Sequence, residues 1–303
     1  MDIHFSPLRY PGGKSILGKF LSEQIVESDL LGKSYCELYA GGAGAALHLL
    51  LNGFVKHIII NDADPRIYAF WFAIVNDTDA FLSKLISVPV TIEEWYVQKS
   101  IYNSPKDHSV LEVGFATFFL NRTNRSGVIH NARPIGGLDQ SGNYLIDVRF
   151  NKLALRHRIE KIAYRRGSIQ LFNCQAEDLL NDEEWLSETT KDCFFYLDPP
   201  YFGKGQELYL NNYTKDQHKV LANILRTKNL LKWVVSYDNT PEIKAIYSGF
   251  RMRTFGLNYS LQEKRKASEL MIFSDAIYRI PSSMQIRSHS VKLVETHEQP
   301  ASI

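Results

Sequence analysis

The stretch FFYLDPPYF, residues 194–202, ends an apolar run in an acid, two prolines and an aromatic ring. Phe194 to Leu197 read as a fully buried strand, and Pro199 and Pro200 cannot continue its hydrogen-bond ladder. Asp198 is therefore expected at a strand end. Open α/β sheets bind ligands just past the carboxyl ends of their strands, where a carboxylate accepts hydrogen bonds and Tyr201 offers a flat face. A plain turn would account for the prolines but not for the acid and the ring together.

A second group lies far upstream. In ELYAGGAGAAL, residues 37–47, Gly41, Gly42 and Gly44 let the backbone come close to a ligand at a strand-to-helix crossing. Taken alone the turn is weak, because tight helix packing uses the same glycines and the full dinucleotide fingerprint is missing. The next strand ends at Asn61-Asp62, about 20 residues on, where a carboxylate suits two ribose hydroxyls. Asp62 could equally cap the helix that starts at Pro65. LRYPGGK, residues 8–14, precedes a helix-like SILGKFL; it reads as a turn, or as a place where Lys14 meets an anionic group beside the wall of Tyr10.

A third group is basic. FFLNRTNRSGVIHNARPIGG carries Arg122, Arg125, Arg133, Asn121, Asn124 and Asn131, side chains that fork onto phosphates or purine edges. A solvated basic face is the plainer alternative. Between Thr117 and Arg166 ten lysines and arginines face three acids, inside a chain whose net charge is only +2, and aromatic residues and glycines interleave with the charges. That pattern favours nucleic acid. No HExxH or paired Cys/His spacing suggests a metal, and no G-x-S-x-G elbow suggests a serine hydrolase.

These groups need elements to hold them. SYCELYA, the glycine turn with its helix, and VKHIIINDADP form a strand–helix–strand unit; CFFYLDPP, the helix TKDQHKVLANILRTK with a Thr214–Gln217 capping box and an apolar face of Val220, Leu221, Ile224 and Leu225, then KWVVSYD, FRMRTF and ELMIFSD follow. The fold class is α/β, a mostly parallel Rossmann-like sheet. Asp62 and Asp198 are too far apart for one or two crossover steps of about 30 residues each, so an inserted, mainly helical module is expected at 66–166. Residues 1–65 and 167–280 then build the sheet, and 281–303 read as a surface tail. The 303 residues, 45% apolar, suffice for such a core. Three scattered cysteines suit a reducing compartment, and no segment resembles a signal peptide or membrane span, so a cytoplasmic protein is expected.

In order, RYPGGK, ELYAGGAGAAL, NDADP, FLNRTNRSG, LDPPYF, VVSYDN and NYSLQEKRKASELMIF resemble the Dam-type DNA adenine methyltransferases over roughly residues 6–275. The resemblance implies a methyltransferase sheet, S-adenosyl-L-methionine as cofactor, double-stranded DNA as partner and an inserted target-recognition domain. It implies catalytic roles for Asp198, Pro199, Pro200 and Tyr201. It places the cofactor on Tyr10, Lys14, Glu37, Tyr39, Ala40, Gly41, Gly42, Gly44, Asp62, Gln175, Ala176 and Asp198. It draws DNA contacts to Arg122, Asn124, Arg125 and Gly127, with His130, Asn131 and Arg133 in the same loop. Members that read GATC carry an aromatic residue where Arg125 stands and an arginine near His130, so GATC is not implied. No obligate protein partner is expected, since a monomer or weak dimer suffices to flip one base. The competing readings are a methyltransferase for RNA or a protein amide, a DNA-binding protein without turnover and, more distantly, a nicotinamide dehydrogenase.

Overall fold

The apolar runs pair into one sheet. A computed structural model describes residues 5–9, 17–202, 213–258, 266–286 and 289–295. Strands β1 (Ser34–Glu37), β2 (His57–Asn61), β3 (Ile169–Phe172), β4 (Cys193–Leu197) and β5 (Lys232–Asp238) run parallel. β6 (Arg251–Asn258) and β7 (Lys266–Phe273) complete the far side, with β7 antiparallel to both β5 and β6. A hairpin of β8 (Ser283–Ile286) and β9 (His289–Lys292) then leads to β10 (Val294–Glu295), giving the order β10-β6-β7-β5-β4-β1-β2-β3. Among the described residues, the chain after Pro281 departs from the surface tail expected at 281–303: β10 extends the sheet beside β6, and Leu293 is buried. Strands of two to four residues are too short for alternation to be visible in a sequence.

β1 sits between β2 and β4, so the connections depart in opposite directions on either side of the β1–β4 pair. Its last residue, Glu37, lies opposite Ile60 on one side and Tyr196 on the other. This is the topological switch point, where a crevice opens beyond the strand ends. The two faces are both covered, as parallel sheets require. Tyr35, Phe194, Tyr196 and Val234 face one apolar cluster; Cys36, Phe195, Leu197 and Val235, one residue out of step, face the other.

The first face carries α1 (Gly18–Glu27), α2 (Gly44–Leu51) and the helices of the long excursion, α3 (Pro65–Asn76), α4 (Thr78–Ser87), α5 (Ile92–Asn103), α6 (Val110–Thr123) and α7 (Lys152–Tyr164). Those helices share the sheet's core. Every residue of α6 from Val113 to Thr123 is buried, and a β-carbon on Gly114 would lie 2.4 Å from the Ala69 carbonyl oxygen, so α6 and α3 touch backbone to backbone. The second face carries α8 (Ala176–Asn181), α9 (Glu183–Thr189), α10 (Lys215–Thr227) and α11 (Pro241–Ile246). α10 starts with the expected Thr214–Gln217 capping box; Leu221 and Leu225 are buried, whereas Val220 points outward and His218 and Ala222 are buried in addition.

Between α6 and α7, residues 124–151 hold only short 3-10 turns and an isolated bridge from Asn124 to Pro134. A loop of that length without its own elements usually has a function. Its base rests on rings: Phe118 stacks on Phe70 and meets Phe81 and Phe150 at centroid distances of 5.4 and 5.5 Å. Phe118→Ala is expected to lower unfolding free energy by about 3–5 kcal/mol, measured by urea denaturation, because the cavity is enclosed by rings that cannot all collapse into it.

Candidate active site

The glycine turn is held from the strands beside it. Gly41 and Ala43 take left-handed backbone angles, φ 46° and 45°, and the Ala43 amide donates to the Ala40 carbonyl at 2.6 Å. From the end of β2, the buried Asn61 side chain donates to the carbonyls of Leu38 and Cys174, both at 3.0 Å, and accepts from the Cys174 amide at 3.2 Å. One side chain thus ties together the ends of β1, β2 and β3. Asp62 accepts from the Gly41 amide at 2.8 Å and from the Asp64 amide at 2.9 Å, and Trp71 of α3 donates its indole N–H to the Gly41 carbonyl. Asp62 does not cap α3; Asp64 does, accepting from the Arg66 amide at 2.9 Å. Burial pushes the Asp62 carboxyl up to about 6, although its two amide donors pull the other way.

Glu37 and Asp198 end adjacent strands. Glu37 is almost fully buried; one of its oxygens takes a long contact of 3.4 Å from the Tyr35 hydroxyl, and Oε2 has no hydrogen-bond partner among the described residues. Burial first, with the charge of Asp198 adding to it, raises the Glu37 carboxyl to about 8 despite an opposing Ala46 amide. A buried polar atom without a partner fits a ligand that brings a donor or a positive charge. Asp198, partly exposed, accepts from the Ser236 hydroxyl at 2.6 Å, and Ser236 in turn is 2.7 Å from the Tyr196 hydroxyl. Since Ser236 has one proton and gives it to Asp198, Tyr196 is the donor to Ser236. Pro199 is buried, Pro200 and Tyr201 are partly exposed, and the Phe202 amide donates to Asp238 at the end of β5.

The rim is aromatic. Tyr39 on the glycine turn donates to the Tyr213 hydroxyl, which donates to Glu177 of α8, each at 2.8 Å. Gln175 is exposed and Ala176 buried where α8 begins, directly after the Cys174 that Asn61 holds. Glu37, Tyr39, Ala40, Gly41, Gly42, Gly44, Asp62, Gln175, Ala176 and Asp198 therefore occupy the carboxyl edge of four neighbouring strands. Tyr10 and Lys14 lie outside the described residues. Tyr196, Ser236, Asn61 and Tyr213 were not singled out from the sequence. Serine inside the apolar run WVVSY, and asparagine ahead of Asp62, were the available signals. His218 is buried with Nδ1 2.9 Å from the Tyr237 hydroxyl, and burial lowers its pKa to about 4.

The basic stretch divides. Arg122, Asn124 and Gly127 do not face outward as contacts for a nucleic acid would. Arg122 donates through Nε and Nη2 to the Arg149 carbonyl, and burial, reinforced by Arg9, Arg158 and Arg149, lowers its pKa to about 9. The Asn124 side chain accepts from the Trp95 indole at 2.7 Å and donates to the Val128 carbonyl at 2.9 Å. Gly127 packs against Arg9. The reason is α6 itself: a helix buried on all sides has no outer face for the polar residues of its last turn. Arg125, His130, Asn131 and Arg133 are exposed on the loop that follows, with the Arg125 amide bonded to the Arg133 carbonyl.

Residues 10–261 match the family model of the D12 class N6 adenine-specific DNA methyltransferases, and the chain belongs to that family. Its sheet is a methyltransferase sheet with a helical insertion. No curated protein matches the sequence. Among solved structures it is similar to a Pyrococcus horikoshii protein described as a proposed RNA methyltransferase, at 13% identity and a TM-score of 0.38, covering 88% of this chain and 85% of that one. It is also similar to the rRNA methyltransferase aviRa of Streptomyces viridochromogenes, at 11% identity and a TM-score of 0.33, covering 85% and 84%. Neither likeness decides the substrate. No helix among the described residues is long and apolar enough to cross a membrane.

The buried acid gives a signed pH dependence. With a folded pKa of about 8 against an ordinary 4.5, Glu37 favours the fold when protonated, fully so below about 4.5, and that contribution is lost as pH rises through about 8. Glu37→Gln cannot ionise. Wild-type stability should therefore fall relative to Glu37→Gln by a few kcal/mol in total, on the order of 1.4 kcal/mol per pKa unit, in urea titrations from pH 4.5 to 8.

Proposed function

We propose that this chain transfers a methyl group from S-adenosyl-L-methionine to the exocyclic amine of an adenine flipped out of double-stranded DNA. The observation that carries the reading is Asp198, held past the end of β4 by Ser236 and Tyr196, with the Pro199 carbonyl and the Tyr201 ring next along the chain. Adenine's amine is a poor nucleophile because its lone pair is delocalised into the ring. Asp198 and the Pro199 carbonyl accept the amine's two hydrogens, which lets the nitrogen become tetrahedral and turns its lone pair toward the cofactor. Tyr201 stacks on the base, offsetting part of the few kcal/mol that flipping costs. After transfer the nitrogen carries an extra proton, which leaves to Asp198 or water.

The cofactor supplies the methyl on a positively charged sulfur. Tyr10, Lys14, the turn from Glu37 to Gly44, Asp62, Gln175 and Ala176 would hold it, with Glu37 Oε2 open to a donor and Asp62 to the ribose. Asp62 already orders the Gly41 amide, so the turn is shaped before any ligand arrives. Exposed Arg125, His130, Asn131 and Arg133 suit the DNA, phosphates for the arginines and base edges for Asn131. Restriction–modification, replication marking and defence all use this reaction.

Methylation mapping tests the reading. Expressed in a host lacking adenine methylation, the protein should leave methyladenine at one short motif in the sequenced DNA. Asp198→Ala should lower turnover by about 10²–10³-fold or more, far beyond any loss of cofactor binding. Near-normal turnover in that variant would remove the mechanism; no marks with a folded, cofactor-binding protein would redirect the search to RNA or protein amides. Arg125→Ala with Arg133→Ala should flatten the slope of log affinity for DNA against log salt by about 0.9 for each phosphate that is no longer neutralised. An unchanged slope would take this loop out of the interface.

A further inference from the structure

Tyr213 directly precedes the capping box that opens α10, and its side chain meets three other elements. The hydroxyl donates to Glu177 Oε1 of α8 and accepts from the Tyr39 hydroxyl on the glycine turn, each at 2.8 Å. A phenol oxygen can give its one proton and still accept, so a single atom joins the two. The ring stands edge-on to Tyr39, with centroids 6.0 Å apart, and lies 5.4 Å from the imidazole of His218 in the first turn of α10. His218 in turn is bonded to Tyr237 of β5 and meets the Phe202 ring at 5.5 Å. Phe202 follows Tyr201, and its amide is held by Asp238.

These residues reach the carboxyl edge of the sheet. Tyr39, Tyr201 and Phe202 pack against the apolar cluster on its second face, and Tyr39 and Glu177 are half-buried beside Glu37 to Gly44 and Gln175–Ala176. β1 and β3 are separated by β2, so the glycine turn and the start of α8 share no hydrogen-bond ladder. Asn61 ties the backbone of those two ends, and Tyr213 ties their side chains. A phenol left unheld at the rim would have to be ordered when a ligand arrives, at a cost in affinity.

We propose that Tyr213 is a positioning residue of the cofactor site: it holds Tyr39 and Glu177 in the geometry that S-adenosyl-L-methionine meets, from a ring seated beside the base platform of Tyr201 and Phe202. The inference rests on the methyltransferase reading given above. It assigns Tyr213 no contact with the reacting atoms.

Calorimetric titration of the full chain with S-adenosylhomocysteine, the product left when the methyl has gone, tests it. Tyr213→Phe keeps a ring against His218 and removes both hydrogen bonds. Its Kd should rise about fivefold, the scale of one ordinary hydrogen bond, with the number of binding sites unchanged. Tyr39→Phe should have a similar effect, and the double variant should bind no more than about twofold weaker than Tyr213→Phe alone, because both changes break one shared bond. An unchanged Kd in Tyr213→Phe, or two effects that multiply in the double variant, would overturn the inference while leaving the methyltransferase reading intact. Fewer sites at unchanged Kd would mean only a smaller folded fraction, and would sink the positioning role. A wild-type chain that does not bind the probe would remove both readings.

Discussion

A parallel sheet covered on both faces runs out of backbone partners at its carboxyl edge, and this site is built from the side chains that supply them. Buried N–H and C=O groups must be paired, and a crevice at a switch point leaves several without a neighbouring strand. Asn61 serves Leu38 and Cys174; Asp62 serves Gly41 and Asp64; Asp238 serves Phe202. Each is a side chain of fixed geometry standing in for backbone, which is why the edge is both open and ordered. The same burial disfavours negative charge, so Glu37 and Asp62 titrate high.

Much of this was legible in the sequence, because strands buried on both faces appear as apolar runs: β2 (HIIIN) and β4 (CFFYL) do, and β5 (KWVVSYD) does but for Ser236. The acid past β4 followed from where its run stops, and the end of the short β1 (SYCE) from the glycines that come after it. What was not legible depended on register within a few residues. In NDADP both aspartates precede Pro65, and only the pitch of the first turn decides that Asp64 caps the helix and Asp62 is left to hold the glycine turn. Arg122 and Asn124 were misplaced because arginine and asparagine are ordinarily surface residues. The run FATFFL ahead of them showed a helix apolar all round, whose end is interior too.

Counting charges overstates a basic surface for the same reason. Arg122 is used on the Arg149 carbonyl, Lys152 on the carbonyls of Ile86 and Val88 where α4 ends, and Arg158 on Ser6. These cations satisfy helix and loop ends, work that a carbonyl-rich interior needs done. Arg125 and Arg133 are left outside.

That division makes the loop a presenter and not a flexible arm. Asn124 is held by Trp95 at its start and Arg149 by Arg122 near its end. Midway, the Gln140 side chain donates to the carbonyls of Ile135 and Gly137 and accepts from the Ile146 amide at 2.9 Å. A loop fastened at three points loses little conformational freedom when its exposed side chains engage a ligand, so more of each interaction's free energy appears as affinity. The interior polar residues, which look least like binding residues, decide where the exposed side chains of Arg125, Asn131 and Arg133 stand.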